Sequence, residues 1–329
     1  MTDSEPSGGG ATVSPAVARS VEDVDDVARL AEAVIDNVES ILVGQRETVE
    51  DVLVAVLARG HVLLEDVPGV GKTMMARALA GSVDGSFRRI QFTPDLLPSD
   101  ITGVNVYNQQ TEAFEFQPGP IFANVVLGDE INRAPPKTQS AMLEAMEERQ
   151  VTVDGESHPL PSPFTVLATR NIVEPHRTYE LPLAELDRFT KTVQLGYPGE
   201  RDEVELLDRV VGNDPIDELE PVVDAAGLRR AQSIVADIAL EEAVREYATR
   251  LAAHTRQRAD LGASPRATIA LLRAAQGRAA IDGRGYVLPD DVRREARAVL
   301  AHRIRPALDD PETDGTSVVD NALKTVPVP

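Results

Sequence analysis

Residues 61–73 read HVLLEDVPGVGKT, and an apolar helical pattern, KTMMARALAG, runs on from them. A short buried-strand signal, a glycine-bearing turn and a helix start in immediate succession leave few folds open. Glycines let backbone N–H groups close around a phosphate, and the start of a helix adds a favourable dipole. The stretch Val67, Pro68, Gly69, Val70, Gly71, Lys72 and Thr73 is therefore expected to cradle the phosphates of ATP. Lys72 would neutralise the β- and γ-phosphates, and the Thr73 hydroxyl would ligate Mg²⁺. One position departs from the general G-x-x-x-x-G-K-T pattern, because Asp66 stands where its first glycine is expected. A carboxylate facing phosphates repels them, so Asp66 must point away if the loop binds nucleotide.

Four more short apolar runs follow: RRIQF (88–92), NVVLG (124–128), FTVLA (164–168) and TVQLG (192–196). Helical patterns lie between several of them. Strands alternating with helices predict an α/β fold, a doubly wound parallel sheet with both faces covered. The run ending Leu127-Gly128-Asp129-Glu130 lies 57 residues after Lys72 and supplies a second chemical signal. Asp129 is expected to hold Mg²⁺ and Glu130 to polarise an attacking water.

Beyond about residue 198 the strand signals stop and apolar positions recur three and four apart. The expected organisation is a flexible N-terminal tail (1–20), an ATPase core (21–198), a small all-α domain (199–308) and a flexible C-terminal tail (309–329). The five histidines, at 61, 158, 176, 254 and 302, show no metal-ligand spacing.

Composition then excludes several classes. Lys+Arg 33 against Asp+Glu 54 leaves a formal net charge of −21. Only four of the bases are Lys. That balance argues against a general polyanion binder, which needs a basic stripe, and matches a surface suited to concentrated salt, where exposed charges are screened over a few ångströms. Cysteine is absent, which excludes a disulfide scaffold or a thiolate zinc site. No apolar stretch approaches the roughly 18 residues needed to span a bilayer, and the start does not resemble a secretory signal. A cytoplasmic protein without direct membrane insertion is expected.

From about Val43 to Arg303 the chain resembles the MoxR family of AAA+ ATPases. The resemblance rests on VGQ (43–45), HVLLEDVPGVGKT, RIQFTPDLLPSDITG, FQPGPIFANVVLGDEINRAPPKTQSAMLEAMEERQVTV, FTVLATRN, ELDRF and SPRA…GRGYVLPDDV. It implies an AAA+ P-loop core followed by a small helical lid. It also implies roles for single residues. Asn171 matches sensor 1, which positions the attacking water with Glu130. Arg188 matches the arginine finger, which reaches the γ-phosphate held by a neighbouring subunit, and Arg266 matches sensor 2 at the start of a lid helix. Gln45 lies in the stretch that contacts the base. GVNVYNQQTEAFEFQPGPIF resembles the helix-2 insert and VTVDGESHPL the hairpin before sensor 1.

The activity so implied is Mg²⁺-dependent hydrolysis of ATP by a self-assembled, hexameric ring that remodels or matures a protein partner bearing a von Willebrand factor A domain. Two alternatives stand beside it: a magnesium-chelatase-type motor subunit, and a non-catalytic scaffold whose nucleotide only gates assembly.

Overall fold

The structure, a computed structural model, describes residues 21–171, 179–210, 216, 219–307 and 314–329. The tail expected over 1–20 and His176 lie outside the described residues. Two helices open the chain, α1 (Val24–Glu39) and α2 (Arg46–Leu57). The Asp23 side chain accepts from the backbone N–H of Asp26 and so caps α1. The chain continues through β1 (Val62–Asp66), α3 (Lys72–Gly81), β2 (Val83–Asp84), β3 (Phe87–Gln91), α4 (Pro98–Thr102), β4 (Gly103–Asn108) and β5 (Ala113–Pro118). Then come β6 (Val125–Asp129), α5 (Pro136–Glu148), β7 (Gln150–Val153), β8 (Glu156–Pro159), β9 (Thr165–Asn171), α6 (Leu183–Leu186) and β10 (Lys191–Val193). The remainder is mostly helical: α7 (Glu200–Val210), β11 (Val223–Asp224), α8 (Ala225–Ala236), α9 (Glu242–Arg258), β12 (Ala259–Leu261), α10 (Pro265–Ile281), α11 (Pro289–Leu300), β13 (Arg305–Pro306) and α12 (Gly315–Thr325).

Five strands form one parallel sheet in the order β10-β1-β9-β6-β3. The apolar runs read from the sequence supply all five. Because side chains alternate across a strand, Val62 and Leu64 of β1 enter one apolar cluster while Leu63 enters the other. Val125 and Leu127 likewise separate from Val126 on β6. Both faces are buried, as a parallel sheet requires. One face is covered by α4 and α5, with Phe92, Met142 and Phe189 packed between. On the other face α1, α2 and α3 share one continuous cluster with the helices beyond residue 225.

The strand order reverses between β1 and β9, which makes the carboxyl ends of these strands the crevice where an open α/β sheet binds ligands. Asp66 pairs with Asn171 across that edge.

The two sequence insertions are both hairpins, β4–β5 and β7–β8. They touch: Asn105 donates to Asp154 at 2.8 Å, and Phe116 stacks on His158 with ring centroids 3.8 Å apart.

A buried ion network ties the edge of the sheet to the helices that follow. Lys191 of β10 is fully buried and lies 2.8 Å from Asp51 of α2 and 2.6 Å from Glu295 of α11. Arg278 of α10 pairs with Glu295 at 2.8 Å, Asp51 at 2.6 Å and Glu50 at 2.8 Å. Desolvating such charges is costly, and their mutual pairing is what offsets it.

The unstructured end expected over 309–329 is corrected by α12. Its first turn is capped by Asp314, which accepts from the Ser317 N–H at 2.7 Å. Val318, Val319 and Ala322 are buried, and the helix packs on α9 and α11. The acid- and proline-rich stretch before it masks a four-residue apolar spacing that is enough for one helical face.

Candidate functional site

The phosphate loop connects β1 to α3. Gly69 and Gly71 have φ of +88° and +97°, the left-handed region that glycine alone enters without strain. A Cβ on Gly69 would meet nothing within 4 Å, so the backbone there faces open space, while one on Gly71 would press on Leu42 at 3.2 Å. Leu42 belongs to the segment leading into VGQ, which brings that segment against the loop. The Gln45 side chain itself is buried and accepts from Thr48 Oγ1 at 3.0 Å; it does not line the phosphate pocket.

Asp66 does point away. Its Oδ2 accepts from the Gly196 N–H at 2.7 Å and its Oδ1 from the Val67 N–H at 2.7 Å. Both oxygens are thereby occupied by backbone donors. Lys72 curls back to the carbonyl oxygens of Asp66 and Val67, at 2.9 and 2.7 Å. Burial lowers its pKa, and the charges of Asp66, Asp129 and Glu130 oppose that shift.

Asp129 ends β6 and Glu130 follows it directly. Asp129 Oδ1 accepts from Thr169 Oγ1 at 2.6 Å, and its Oδ2 faces Thr73 Oγ1 at 3.4 Å and the Arg89 guanidinium. Glu130 has φ +57°, a conformation that costs a non-glycine residue roughly 1 kcal/mol and is met most often where function demands it. Three donors surround its carboxylate, and its own amide donates in turn. Asn171 Nδ2 reaches Oε1 at 2.9 Å; Gln91 Nε2 and Arg133 reach Oε2 at 3.0 and 2.7 Å; and the Glu130 N–H donates to Thr169 Oγ1 at 2.8 Å.

Lys72, Thr73, Asp129, Glu130 and Asn171 therefore line a single pocket of about 500 Å³, joined by Pro68, Gly69, Gly71, Met74 and four polar or charged residues that the sequence reading did not single out for the site. These are Arg77, Arg89, Gln91 and Thr169. Three of them carry a signal that strand periodicity could have given. Residues 89 and 91 share a face of β3, and 169 and 171 share a face of β9. The donor set fits ATP with Mg²⁺: a hydroxyl and a carboxylate, both hard oxygen ligands, beside backbone N–H groups and a Lys.

Arg188 and Arg266 are elsewhere. Arg188 Nε donates to Glu147 at 3.1 Å, and Arg266 pairs with the same Glu147 and lies 3.9 Å from Asp187. Both line a cleft with Gly60, His61 and Thr190, residues that precede β1 and β10. The phosphate loop follows the other end of β1. A five-residue strand puts about 16 Å between those two ends, so neither arginine reaches the phosphate loop of its own chain.

Buried His61 is a structural group. Its Nδ1 accepts from the Val166 N–H at 3.0 Å, which leaves Nε2 to donate to the Met146 carbonyl at 3.2 Å. Burial holds its pKa down at about 4.

Comparison with known proteins agrees with this fold. Residues 61–191 match the model of the ATPase family associated with various cellular activities, and 251–322 match the AAA lid domain. The chain is 46% identical to the uncharacterized protein YeaC of Bacillus subtilis, over 93% of this chain and 97% of that one. It is 42% identical to Chaperone MoxR1 of Mycobacterium tuberculosis, over 91% and 82%, and 33% identical to Protein MoxR of Methylorubrum extorquens, over 80% and 84%. The crystal structure of a protein from Cytophaga hutchinsonii assigned as an ATPase superposes with a TM-score of 0.86 at 36% identity, covering 93% of this chain and 97% of that one. With a parallel five-stranded core, a helical lid and relatives of that name matched over more than four fifths of their length, the chain belongs to the MoxR family of AAA+ ATPases.

Proposed function

We propose that this chain hydrolyses ATP with Mg²⁺ in a ring of its own copies and uses the turnover to remodel a protein partner. One observation carries the reading: the loop and the acids share one pocket, while Arg188 and Arg266 face outward from the opposite end of β1. Such a chain holds most of an ATPase site and offers a neighbour the part it lacks.

Lys72 and the glycine backbone hold the phosphates. Thr73 and Asp129 would hold Mg²⁺, which when bound neutralises charge developing on the transferred phosphoryl group. Glu130 polarises the attacking water, Asn171 orients it, and Arg188 with Arg266 stabilises the charge from the next subunit. Thr169 fixes the two acids relative to each other, and Gln91 and Arg133 fix the Glu130 carboxylate.

The likeness to a protein named as a chaperone supports a protein client over a chelatase motor. A partner with a von Willebrand factor A domain remains part of the proposal, as do six subunits and a cytoplasmic, high-salt setting for so acidic a surface.

Subunit mixing tests the shared site. Lys72→Ala and Arg188→Ala chains are each inactive alone, and their mixture regains activity because some interfaces join an intact loop to an intact arginine. A mixture as inactive as its components would refute the assembly across subunits.

A further inference from the structure

At the end of β1 remote from the phosphate loop, three arginines from three elements converge on one cleft of about 450 Å³. Arg59 follows α2, Arg149 ends α5 and Arg273 comes from the flank of α10. The floor is Leu57, Val235, Gln232 and Gln276, and no carboxylate among the described residues lines it. That absence is notable in a chain carrying a net charge of −21.

Arg59 and Arg149 both occupy the left-handed region, with φ of +57° and +55°. Each stands just past a helix end, where glycine is the usual occupant and any other residue is strained. A cation beside a helix C-terminus recovers part of that. The helix dipole explains one cation at each end; it does not explain Arg273, which comes from the middle of a third helix. The two left-handed turns are also tied together, since Arg149 Nη2 donates to the Arg59 carbonyl at 3.0 Å. Desolvation, then the nearby charges of Arg59 and Arg273, lower the Arg149 pKa. Like charges gathered on a fixed frame are unfavourable until an anion neutralises them.

We propose that this cleft binds a ligand carrying two or more adjacent phosphate groups, at a site separate from the phosphate loop. Guanidinium groups match phosphate oxygens bidentately, and three of them exceed what a single carboxylate neutralises. The volume lies within the range of small-ligand pockets. The same three arginines also border the cleft of Arg188 and Arg266, so the site is continuous with the surface proposed to meet a neighbour. It does not depend on that proposal. The two available sources of such chemistry are an inorganic polyphosphate and the phosphate tail of a nucleotide.

The test is calorimetric titration of the full chain carrying Lys72→Ala, which weakens the phosphate loop as a competing site. The probes are pyrophosphate, ATP and AMP at one fixed ionic strength. One pyrophosphate binds per chain, and AMP binds at least about tenfold more weakly. Adding Arg149→Gln and Arg273→Gln weakens pyrophosphate at least about tenfold, the loss expected for charge-assisted contacts. Arg273→Gln alone, at an exposed helical position that accepts Gln, gives an intermediate loss and guards against misfolding. ATP binding that shares this arginine dependence identifies the nucleotide tail as a source; pyrophosphate binding alone identifies an inorganic one. No pyrophosphate binding, or binding unchanged by the arginine substitutions, overturns the site. A failed subunit-mixing experiment leaves these titrations unaffected, so the two readings fail separately.

Discussion

The Thr169 hydroxyl stands between the two acids: it donates to Asp129 Oδ1 at 2.6 Å and accepts from the Glu130 backbone N–H at 2.8 Å. One hydroxyl so fixes the carboxylate assigned to the metal and the backbone that aims the carboxylate assigned to water. Thr169→Val keeps the shape and removes both bonds. Turnover is expected to fall about ten- to a hundredfold, because a buried charge-assisted bond contributes roughly 1.5–3 kcal/mol. ATP affinity should change little, and Thr169→Ser should restore most of the rate. Phosphate release beside a nucleotide titration distinguishes the two parameters.

Glu130→Gln retains size and the left-handed backbone but removes the base. It should bind ATP about as tightly as the parent while phosphate release drops at least about a hundredfold. Turnover at the parent's rate would refute the role given to Glu130.

Lys191→Ala strips the cation from between Asp51 and Glu295, leaving Glu295 buried with less compensation. Breaking one side of such a network costs about 3–5 kcal/mol. Pairing Lys191→Met with Glu295→Leu should cost much less, since no unmatched charge stays buried at that point. Urea unfolding of both variants measures the difference.

Acid should destabilise the protein through His61. Its folded pKa is about 4 against an ordinary 6.5, so between those values the unfolded chain binds the proton and the folded one does not. Stability therefore rises with pH across that window and is lost as pH falls through it, by about 3 kcal/mol in full. Half-buried His302 is shifted in the same direction, by desolvation and then by the charge of Arg303. Unfolding free energy measured from pH 7 to pH 4 should show the slope, and His61→Gln should flatten part of it.

The sheet was legible because buried parallel strands are short apolar runs, and five such runs stand in the chain. The loop and the Asp129-Glu130 pair were legible because their chemistry is contiguous. Thr169, Arg89 and Gln91 were not singled out, because their importance lies in register: Gln91 stands opposite Asp129 only once β3 pairs with β6. The contact of Arg133 is hidden for a related reason. This arginine reaches Glu130 because that residue adopts a left-handed turn, which sequence spacing does not announce. Arg188 and Arg266 were readable as types, yet their shared partner, Glu147, emerges only from the fold. The helix α12 was lost in an acidic surround that hid its three buried side chains.

The bond from the Gly196 N–H to Asp66 links two positions 130 residues apart. It turns an apparent defect in the phosphate-loop signature into a rule of paired inheritance. Wherever a homologue keeps an acid at the position of Asp66, the position of Gly196 must keep a backbone hydrogen, so proline is barred there whatever else drifts. Where the acid is replaced by glycine, that bar lifts. The two columns of an alignment should therefore vary together, and a search that demands the first glycine of the loop would discard the members in which this coupling is strongest.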